Sequence, residues 1–174
     1  MQTELLSISR IFTESLFRIP DYQRGYAWRE KQLKDFWNDI NQLEEGKHHY
    51  TGVLTLEVVP FSIYQRWDDD IWIIKAKHYI PYYVVDGQQR LTTVIILIQS
   101  IIEKINEEQM LNYSSKEEIR KKFIFESKDG GISRSYLFGY EKDNPSYEYL
   151  KTDIFFEKSD NHSTSEQTIY THNL

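Results

Sequence analysis

The stretch that most constrains the fold is residues 80–102, where two apolar segments meet at a short polar one. Aromatic and β-branched residues fill positions 82–85 and predict a buried strand. The apolar run that starts at Leu91 continues to Ile105, too far for a strand, and predicts a buried helix. Gly87 lies where the chain has to reverse, which indicates a positive φ or a close approach of another group to the backbone. The sequence therefore predicts a strand, a tight turn and a helix in immediate succession.

The polar residues of this turn allow two interpretations. Asp86 is positioned to cap the helix by accepting hydrogen bonds from N–H groups of its first turn. Arg90 falls in that turn, where the partial positive charge of the helix end disfavours a cation, so a negative group is expected beside it. That group is either Asp86, in an internal ion pair, or a bound anion such as phosphate, held by free N–H groups, the Gly87 backbone and the guanidinium. The amides of Gln88 and Gln89 favour the bound anion, because amides are costly to bury unpaired beside an apolar helix.

A second group of candidate binding residues is the loop 21–29, DYQRGYAWR. It places Arg24 and Arg29 among large aromatic side chains around a glycine, and it has no apolar periodicity. Such a loop can hold a flat, negatively charged ligand by stacking and by guanidinium contacts. It can equally be a packed surface loop whose tyrosines seal a sheet edge, and the residue types alone favour this second interpretation.

Apolar periodicity and turn residues predict the remaining elements. Strands are expected at 16–19, 51–59, 63–67, 71–74 and 123–125, with 135–140 as the partner of the last. Helices are expected at 30–45, 116–122 and 147–156, and one or two helical turns within 5–14. Residues 68–70, three aspartates, are interpreted as a solvated turn, since no spaced ligand pattern accompanies them.

Length, charge and composition limit the class of protein. The chain has 174 residues, 40% of them apolar, which is enough for one domain with a substantial core. We expect this domain to span residues 1–158, with residues 159–174 as a polar tail at the start of a further helical region. The formal net charge of −6 argues against nonspecific coating of nucleic acid, and the absence of cysteine excludes disulfides and thiolate metal sites. Because there is neither a signal-peptide pattern nor a bilayer-length apolar stretch, we expect a cytoplasmic protein with no membrane partner.

Three segments carry a resemblance to a known family. They are residues 17–28, FRIPDYQRGYAW, then 49–52, HYTG, and then 85–93, VDGQQRLTT. In order and spacing they resemble the N-terminal domain family typified by the GmrS half of GmrSD-type modification-dependent restriction enzymes. The resemblance covers residues 16–105 and extends more loosely to 156. It implies a ParB/sulfiredoxin-like α/β domain, an α+β arrangement built on a mixed sheet.

The resemblance also implies an activity. In that family the DGQQR motif is associated with the binding and hydrolysis of nucleoside triphosphates, usually with a divalent cation such as Mg²⁺. Such a domain is a nucleotide-binding NTPase component that regulates a linked HNH-type nuclease, and together they cut foreign DNA with modified bases as a defence against phage. No spaced His-Asn-His pattern of that nuclease is present in this chain, and no Gly-x-x-x-x-Gly-Lys-Ser/Thr loop is present either, so a P-loop mechanism is excluded.

Roles follow for the matching residues. Arg90 would neutralise phosphate charge, Gln88 and Gln89 would orient phosphate or an attacking water, and Asp86 would hold the metal or set Arg90. From the upstream loop, Gln23 and Arg24 would complete the pocket, and a base would stack on Tyr22, Tyr26 or Trp28. Two other functions stay open: a non-enzymatic module that reads modified DNA through this loop and the glutamine amides, and a ParB-like nuclease.

Overall fold

The structure is a computed structural model that describes residues 3–131 and 133–156. In chain order its elements are α1 (Ile8–Ile11), β1 (Ser15–Ile19), α2 (Glu30–Asn41), β2 (Thr55–Val58), α3 (Phe61–Tyr64), α4 (Ile71–Lys77), β3 (Ile80–Asp86), α5 (Gln88–Lys104), β4 (Met110–Leu111), β5 (Ser114–Ser115), α6 (Lys116–Phe123), β6 (Phe125–Lys128), β7 (Ser133–Tyr136), β8 (Phe138–Tyr140) and α7 (Tyr147–Tyr149). A π-helical turn, Leu150–Ile154, continues α7.

The centre of the domain is a four-stranded mixed sheet in the order β2-β3-β1-β8. Strand β1 pairs in parallel with both β3 and β8, whereas β2 runs antiparallel to β3. In this register Phe17 lies opposite Tyr82 on one side and Phe138 on the other. The carboxyl ends of β1, β3 and β8 therefore meet at one edge of the sheet, and the start of β2 lies there too, because Thr55 pairs with Asp86.

Helix α5 supplies much of the core that covers this sheet. Its buried residues recur at helical spacing, as Leu91, Ile95 and Ile102 do, because an amphipathic helix buries one stripe. They belong to one buried cluster with residues of β1, β3 and β8, namely Phe17, Ile19, Val84, Phe138 and Tyr140. Burial of this apolar surface, at roughly 25 cal/mol per Å², fixes the helix against the strand that precedes it.

The predicted mixed α/β architecture is confirmed, and so is the succession of strand, turn and helix at residues 80–104. The helices predicted near residues 30 and 116 also form, although α2 ends at Asn41. The predicted strands at 63–67 and 71–74 are wrong, because residues 63 and 64 end α3, residues 65–67 follow it without a strand, and residues 71–74 begin α4. A short apolar run fits a buried helical turn as well as a strand, and Ile73 and Ile74 are buried in this way.

Three further strand predictions need correction. Of the strand predicted at 123–125, Phe123 ends α6 and Ile124 is its C-cap, so that β6 begins only at Phe125. The segment predicted as a strand at 51–59 is extended in the sheet only at Thr55–Val58. Gly52 before it has φ +98°, which turns residues 51–54 out of the strand and over the start of α5. The segment 135–140 divides between two sheets: β7 pairs with β6, and β8 joins the central sheet beside β1. The predicted polar tail lies outside the described residues.

Candidate functional site

The edge of the sheet where the parallel strands end gathers the candidate residues. Residues 20–29 follow β1, residues 87–90 follow β3, and residues 51–54 precede β2. Open sheets with parallel strands bind ligands at this carboxyl edge, because the loops and helix starts converge there. The fold therefore brings together the two motifs that are separated by about sixty residues in the sequence, and it adds residues 51–54 to them.

The turn between β3 and α5 begins the helix without a side-chain cap. Gly87 is the N-cap residue, with φ +87°, and no side chain accepts a hydrogen bond from the first helical turn. The expectation that Asp86 caps the helix is wrong, because its Oδ1 accepts from the N–H of Gly87 itself at 2.8 Å. Leu91 donates the first helical bond, to the Gly87 carbonyl. Within the part of the chain that the structure describes, the N–H groups of residues 88–90 thus have no acceptor.

Arg90 has no carboxylate partner among residues 3–131 and 133–156, so the internal ion pair with Asp86 does not form there. Its Nη2 donates to the carbonyl of Val53 at 2.9 Å. A Cβ on Gly52 would lie 2.9 Å from Arg90 Cζ, so glycine is needed for the guanidinium to lie against this loop. Arg90 is therefore held at the turn by a neutral acceptor, and its positive charge stays uncompensated by the described protein.

The loop after β1 is fixed to the start of α5 by Gln89. This side chain is 7% exposed, accepts from the N–H of Ala27 at 2.7 Å and donates to the carbonyl of Gly25 at 3.1 Å. Gln23 makes a further link, from its Nε2 to the carbonyl of Val85 at 2.9 Å. Both glutamines thus bond backbone groups, which places them as residues that position the loop beside the turn.

Gln88 contacts the backbone of Arg24 more weakly than Gln89 contacts the loop. Gln88 Nε2 lies 3.5 Å from the carbonyl of Arg24, a long hydrogen bond. Gln88 Oε1 is buried and, among the described residues, accepts no hydrogen bond. A buried polar atom of this kind needs a donor such as a water or a ligand. The side chain of Arg24 is exposed and makes no ion pair within the described chain.

The three aromatic residues of the loop lie in different environments. Tyr22 is 74% exposed, so its ring is open to a ligand. Tyr26 points inwards, where its hydroxyl is 2.8 Å from Thr93 Oγ1, and burial raises its pKa despite that hydrogen bond. Trp28 packs edge-on against Phe36 of α2. Of the three, Tyr22 is the most exposed, whereas Tyr26 and Trp28 are partly buried.

Residues from the far end of the described chain also support the loop, and sequence reasoning missed them. Asn144 is buried and donates from Nδ2 to the carbonyls of Pro20, at 3.2 Å, and Gln23, at 2.8 Å. Ser146 accepts from the N–H of Tyr26 at 2.9 Å. Nothing in a local sequence pattern indicates which distant carbonyls a buried asparagine will bond.

The acidic residues of the edge do not form a metal site of their own. Asp86 is exposed, and within the described chain its second carboxylate oxygen, Oδ2, accepts no hydrogen bond and joins no ion pair. No group of three or more histidine or acidic residues in that part of the chain could hold a metal ion. A divalent cation at this edge would therefore need ligands from a bound molecule in addition to Asp86.

The fold and the site together define an α/β domain whose helix start, at the carboxyl edge of a mixed sheet, has unbonded N–H groups and an uncompensated arginine. Comparison with protein families identifies the chain: residues 4–173 match the family described as GmrSD restriction endonuclease, N-terminal domain, and the chain belongs to that family. It is thus a domain of a restriction protein, a class that acts on DNA in phage defence. No curated protein sequence matches it significantly. No described helix is long and apolar enough to cross a membrane.

Proposed function

We propose that the turn at residues 86–90 binds the phosphates of a nucleoside triphosphate and supports their hydrolysis. The observation that carries the proposal is the start of α5, where the N–H groups of residues 88–90 have no acceptor in the described chain. Helix N-termini attract anions because these N–H groups and the helix dipole point at the same place. Arg90 adds a full positive charge beside them, which the described protein leaves unpaired.

The residues present also fit a magnesium ion bound with the nucleotide. Mg²⁺ is commonly held by one or two carboxylates together with phosphate oxygens and water. Asp86 supplies one exposed carboxylate at the turn. Phosphate oxygens and water molecules would supply the other ligands of the ion. When bound, such an ion would neutralise charge that develops on the phosphate oxygens.

Within this proposal each residue has a distinct task. Arg90 and the free N–H groups bind and neutralise phosphate, and Arg24 reaches in from the loop as a second cation. The buried Oε1 of Gln88 accepts a hydrogen bond from the attacking water and so orients it. Gln89 and Gln23 are positioning residues, since their amides bond the backbone of the loop and of β3. Tyr22 is the aromatic surface available to a base.

The proposal is tested by nucleotide binding and phosphate release, each with and without Mg²⁺. We expect Arg90→Ala to weaken binding by about tenfold to a hundredfold, corresponding to roughly 1.5–3 kcal/mol for charge-assisted hydrogen bonds. Gln88→Ala should lower the rate of phosphate release more than the affinity, because its contact is to water and not to phosphate.

A matched control is Lys34→Ala, which removes a cation on the exposed face of α2. It should leave both measurements unchanged. Undiminished binding and hydrolysis in Arg90→Ala and Gln88→Ala would remove the proposed site.

We further propose that nucleotide turnover at this turn regulates cleavage of modified DNA by a linked HNH-type nuclease. The support is membership of a restriction endonuclease family together with a phosphate-receptive turn at the sheet edge. In the full protein, Arg90→Ala should therefore abolish nucleotide-dependent cleavage. Cleavage that continues at the wild-type rate in this variant would contradict the regulatory role.

A further inference from the structure

A recess opens at the same edge of the sheet as the turn, on the other side of β1. It is a cleft of about 390 Å³ lined by the ends of β1 and β8, by residues 66–70 before α4 and by residues 147–151. Small-molecule sites commonly have volumes of roughly 300–1,000 Å³. Neither the DGQQR motif nor Arg24 lines this cleft, so it is separate from the proposed phosphate site.

The floor of the cleft is the planar guanidinium of Arg18, whose side chain is only 9% exposed. It pairs with Asp70, with Nη2 and Oδ2 2.5 Å apart, and donates from Nη1 to the carbonyl of Phe17 at 2.8 Å. The ring centre of Trp67 lies 5.6 Å from Arg18 Cζ. Because Asp70 balances its charge, Arg18 offers a fixed, flat polar surface and not a free cation.

Gly139 keeps this floor accessible. It stands in β8 beside Arg18, to which it is paired across the sheet. An added Cβ would lie 3.7 Å from Arg18 Nη1, an ordinary contact, so neither the backbone nor the packing requires glycine at this position. The consequence of glycine is that β8 places no side chain over the guanidinium.

The walls of the cleft combine aromatic rings with charges of both signs. Lys151 Nζ lies 3.2 Å from the hydroxyl of Tyr147 and 5.8 Å from the ring centre of Tyr136. Besides the Arg18–Asp70 pair, the charged lining residues are four cations and five carboxylates: Arg66, Arg134, Lys142, Lys151, Asp21, Asp68, Asp69, Glu141 and Asp143. The opening thus offers hydrogen-bond donors and acceptors next to aromatic faces.

This combination excludes most ligand classes. An apolar ligand would leave many charged groups desolvated and unpaired. A polyphosphate would meet the carboxylates of the rim, and no group of three metal-binding residues exists among the described side chains. An uncharged, planar ring with donors and acceptors along its edge matches the flat floor, the aromatic walls and a rim that carries charges of both signs. We propose that the cleft binds a nucleobase.

The base has two possible sources, a free nucleoside or nucleotide, and DNA from which a base is extruded. Extrusion is how proteins bring a base into a pocket that a duplex cannot enter. The proposal does not depend on the phosphate site, because a nucleoside without phosphate is sufficient to test it.

The test uses 2-aminopurine, whose fluorescence reports stacking. The probes are 2-aminopurine riboside and a DNA duplex with one 2-aminopurine. We expect a saturable fluorescence change with at least one of them, and the riboside and duplex arms distinguish the two sources. Gly139→Leu should weaken this binding by about tenfold or more by filling the cleft, whereas Gly139→Ala should not, since its Cβ fits.

Two other variants keep the outcome interpretable. Arg134→Gln changes an exposed rim residue and should weaken binding several-fold even if Gly139→Leu fails to fold. Arg90→Ala should leave binding of the riboside intact. The proposal is overturned if neither probe gives a saturable change, if folded Gly139→Leu and Arg134→Gln both bind like the wild type, or if only Arg90→Ala abolishes the signal.

Discussion

At the scale of single residues, two glycines let the site close around the start of α5. Gly87 has φ +87°, and a Cβ there would lie 2.8 Å from the carbonyl oxygen of Val53. Gly52 has φ +98° and lies against the Arg90 guanidinium. The same loop, residues 52–54, therefore contacts both the reversal of the chain and the cation that we assign to phosphate.

Gly87→Ala should destabilise the domain more than the same change at Gly46. Both positions have positive φ, which costs an alanine about 1–2 kcal/mol. Nothing lies within 4 Å of the Cβ position at Gly46, whereas Gly87 adds an overlap with Val53 that costs about 1–3 kcal/mol. Urea denaturation of both variants measures the difference in free energy of unfolding. Equal losses would contradict the close packing at the turn.

The sequence identified the residues of the turn but not their partners. The glycine, the glutamines and Arg90 stand out because each is unusual beside an apolar helix. Arg90 lies against Gly52 and donates to the carbonyl of Val53, which is 37 residues away in the sequence. No local periodicity indicates contacts over such a separation. The capping role expected of Asp86 failed for a local reason: its carboxylate is taken by the adjacent N–H of Gly87.

At the scale of elements, the buried amide of Gln89 makes two of the hydrogen bonds that attach the loop after β1 to α5. Gln89 uses both its oxygen and its nitrogen on the loop backbone, and Asn144 holds the other end of the loop. The two interpretations of residues 21–29, as a packed surface loop and as part of a binding site, are thus compatible. Packing fixes the backbone of the loop, while Tyr22 and Arg24 remain exposed.

Gln89→Ala should release this loop without unfolding α5. The change leaves the N–H of Ala27 without its acceptor, so hydrogen exchange at that amide should become faster, and stability should fall by about 1–3 kcal/mol. Gln99→Ala is a matched control, because Gln99 is also buried on α5 but bonds Glu103. Exchange at Ala27 that is equally fast in the two variants would contradict the anchoring role of Gln89.

The type of an element was predicted best where the apolar pattern was long or where a residue such as proline ended the element. The long apolar helix, the strand before Pro20 and the helix at 116–122 all lie where their residues predict them. The strand predictions at 63–67 and 71–74 failed, since so few apolar residues show neither a helical nor a strand periodicity. Only tertiary packing decides such a segment: Asp70 pairs with Arg18, which fixes the start of α4 against β1.

At the scale of the whole molecule, the sheet places the turn at residues 86–90 and the cleft beside β8 at one edge of an acidic domain. The formal net charge is −6, so attraction of an anionic ligand has to come from local groups such as the α5 N-terminus and Arg90. The loop after β1 separates the turn from the cleft. The Glu141 carboxylate accepts hydrogen bonds from the N–H of Asp21 in this loop and from the hydroxyl of Tyr83. Such an arrangement could not be predicted from the sequence, because it depends on the order in which the strands pair.

Buried tyrosines make the folded state sensitive to alkaline pH. Burial raises the pKa of Tyr140, and burial together with the Glu141 carboxylate raises that of Tyr83, well above the usual value of 10. The native state therefore keeps protons that the unfolded state loses, so stability is complete below about pH 10 and falls as the pH rises further.

Tyr140→Phe should reduce this dependence by up to about 1.4 kcal/mol per pH unit above pH 10. Urea denaturation across that range measures the slope. Tyr113→Phe is the control, since the Tyr113 side chain is 94% exposed and should be equally so after unfolding. An unchanged slope in Tyr140→Phe would contradict the assignment to this buried hydroxyl.

The most direct measurement of the central claim is the change in amide chemical shifts when a non-hydrolysable triphosphate analogue and Mg²⁺ are added to the nitrogen-15-labelled domain. The account predicts that the largest shifts occur at the backbone amides of Gln88, Gln89 and Arg90, and that Arg90→Ala needs about tenfold to a hundredfold more analogue to reach them at residues 88 and 89. If these amides stay unchanged while the analogue binds elsewhere, the start of α5 does not bind phosphate.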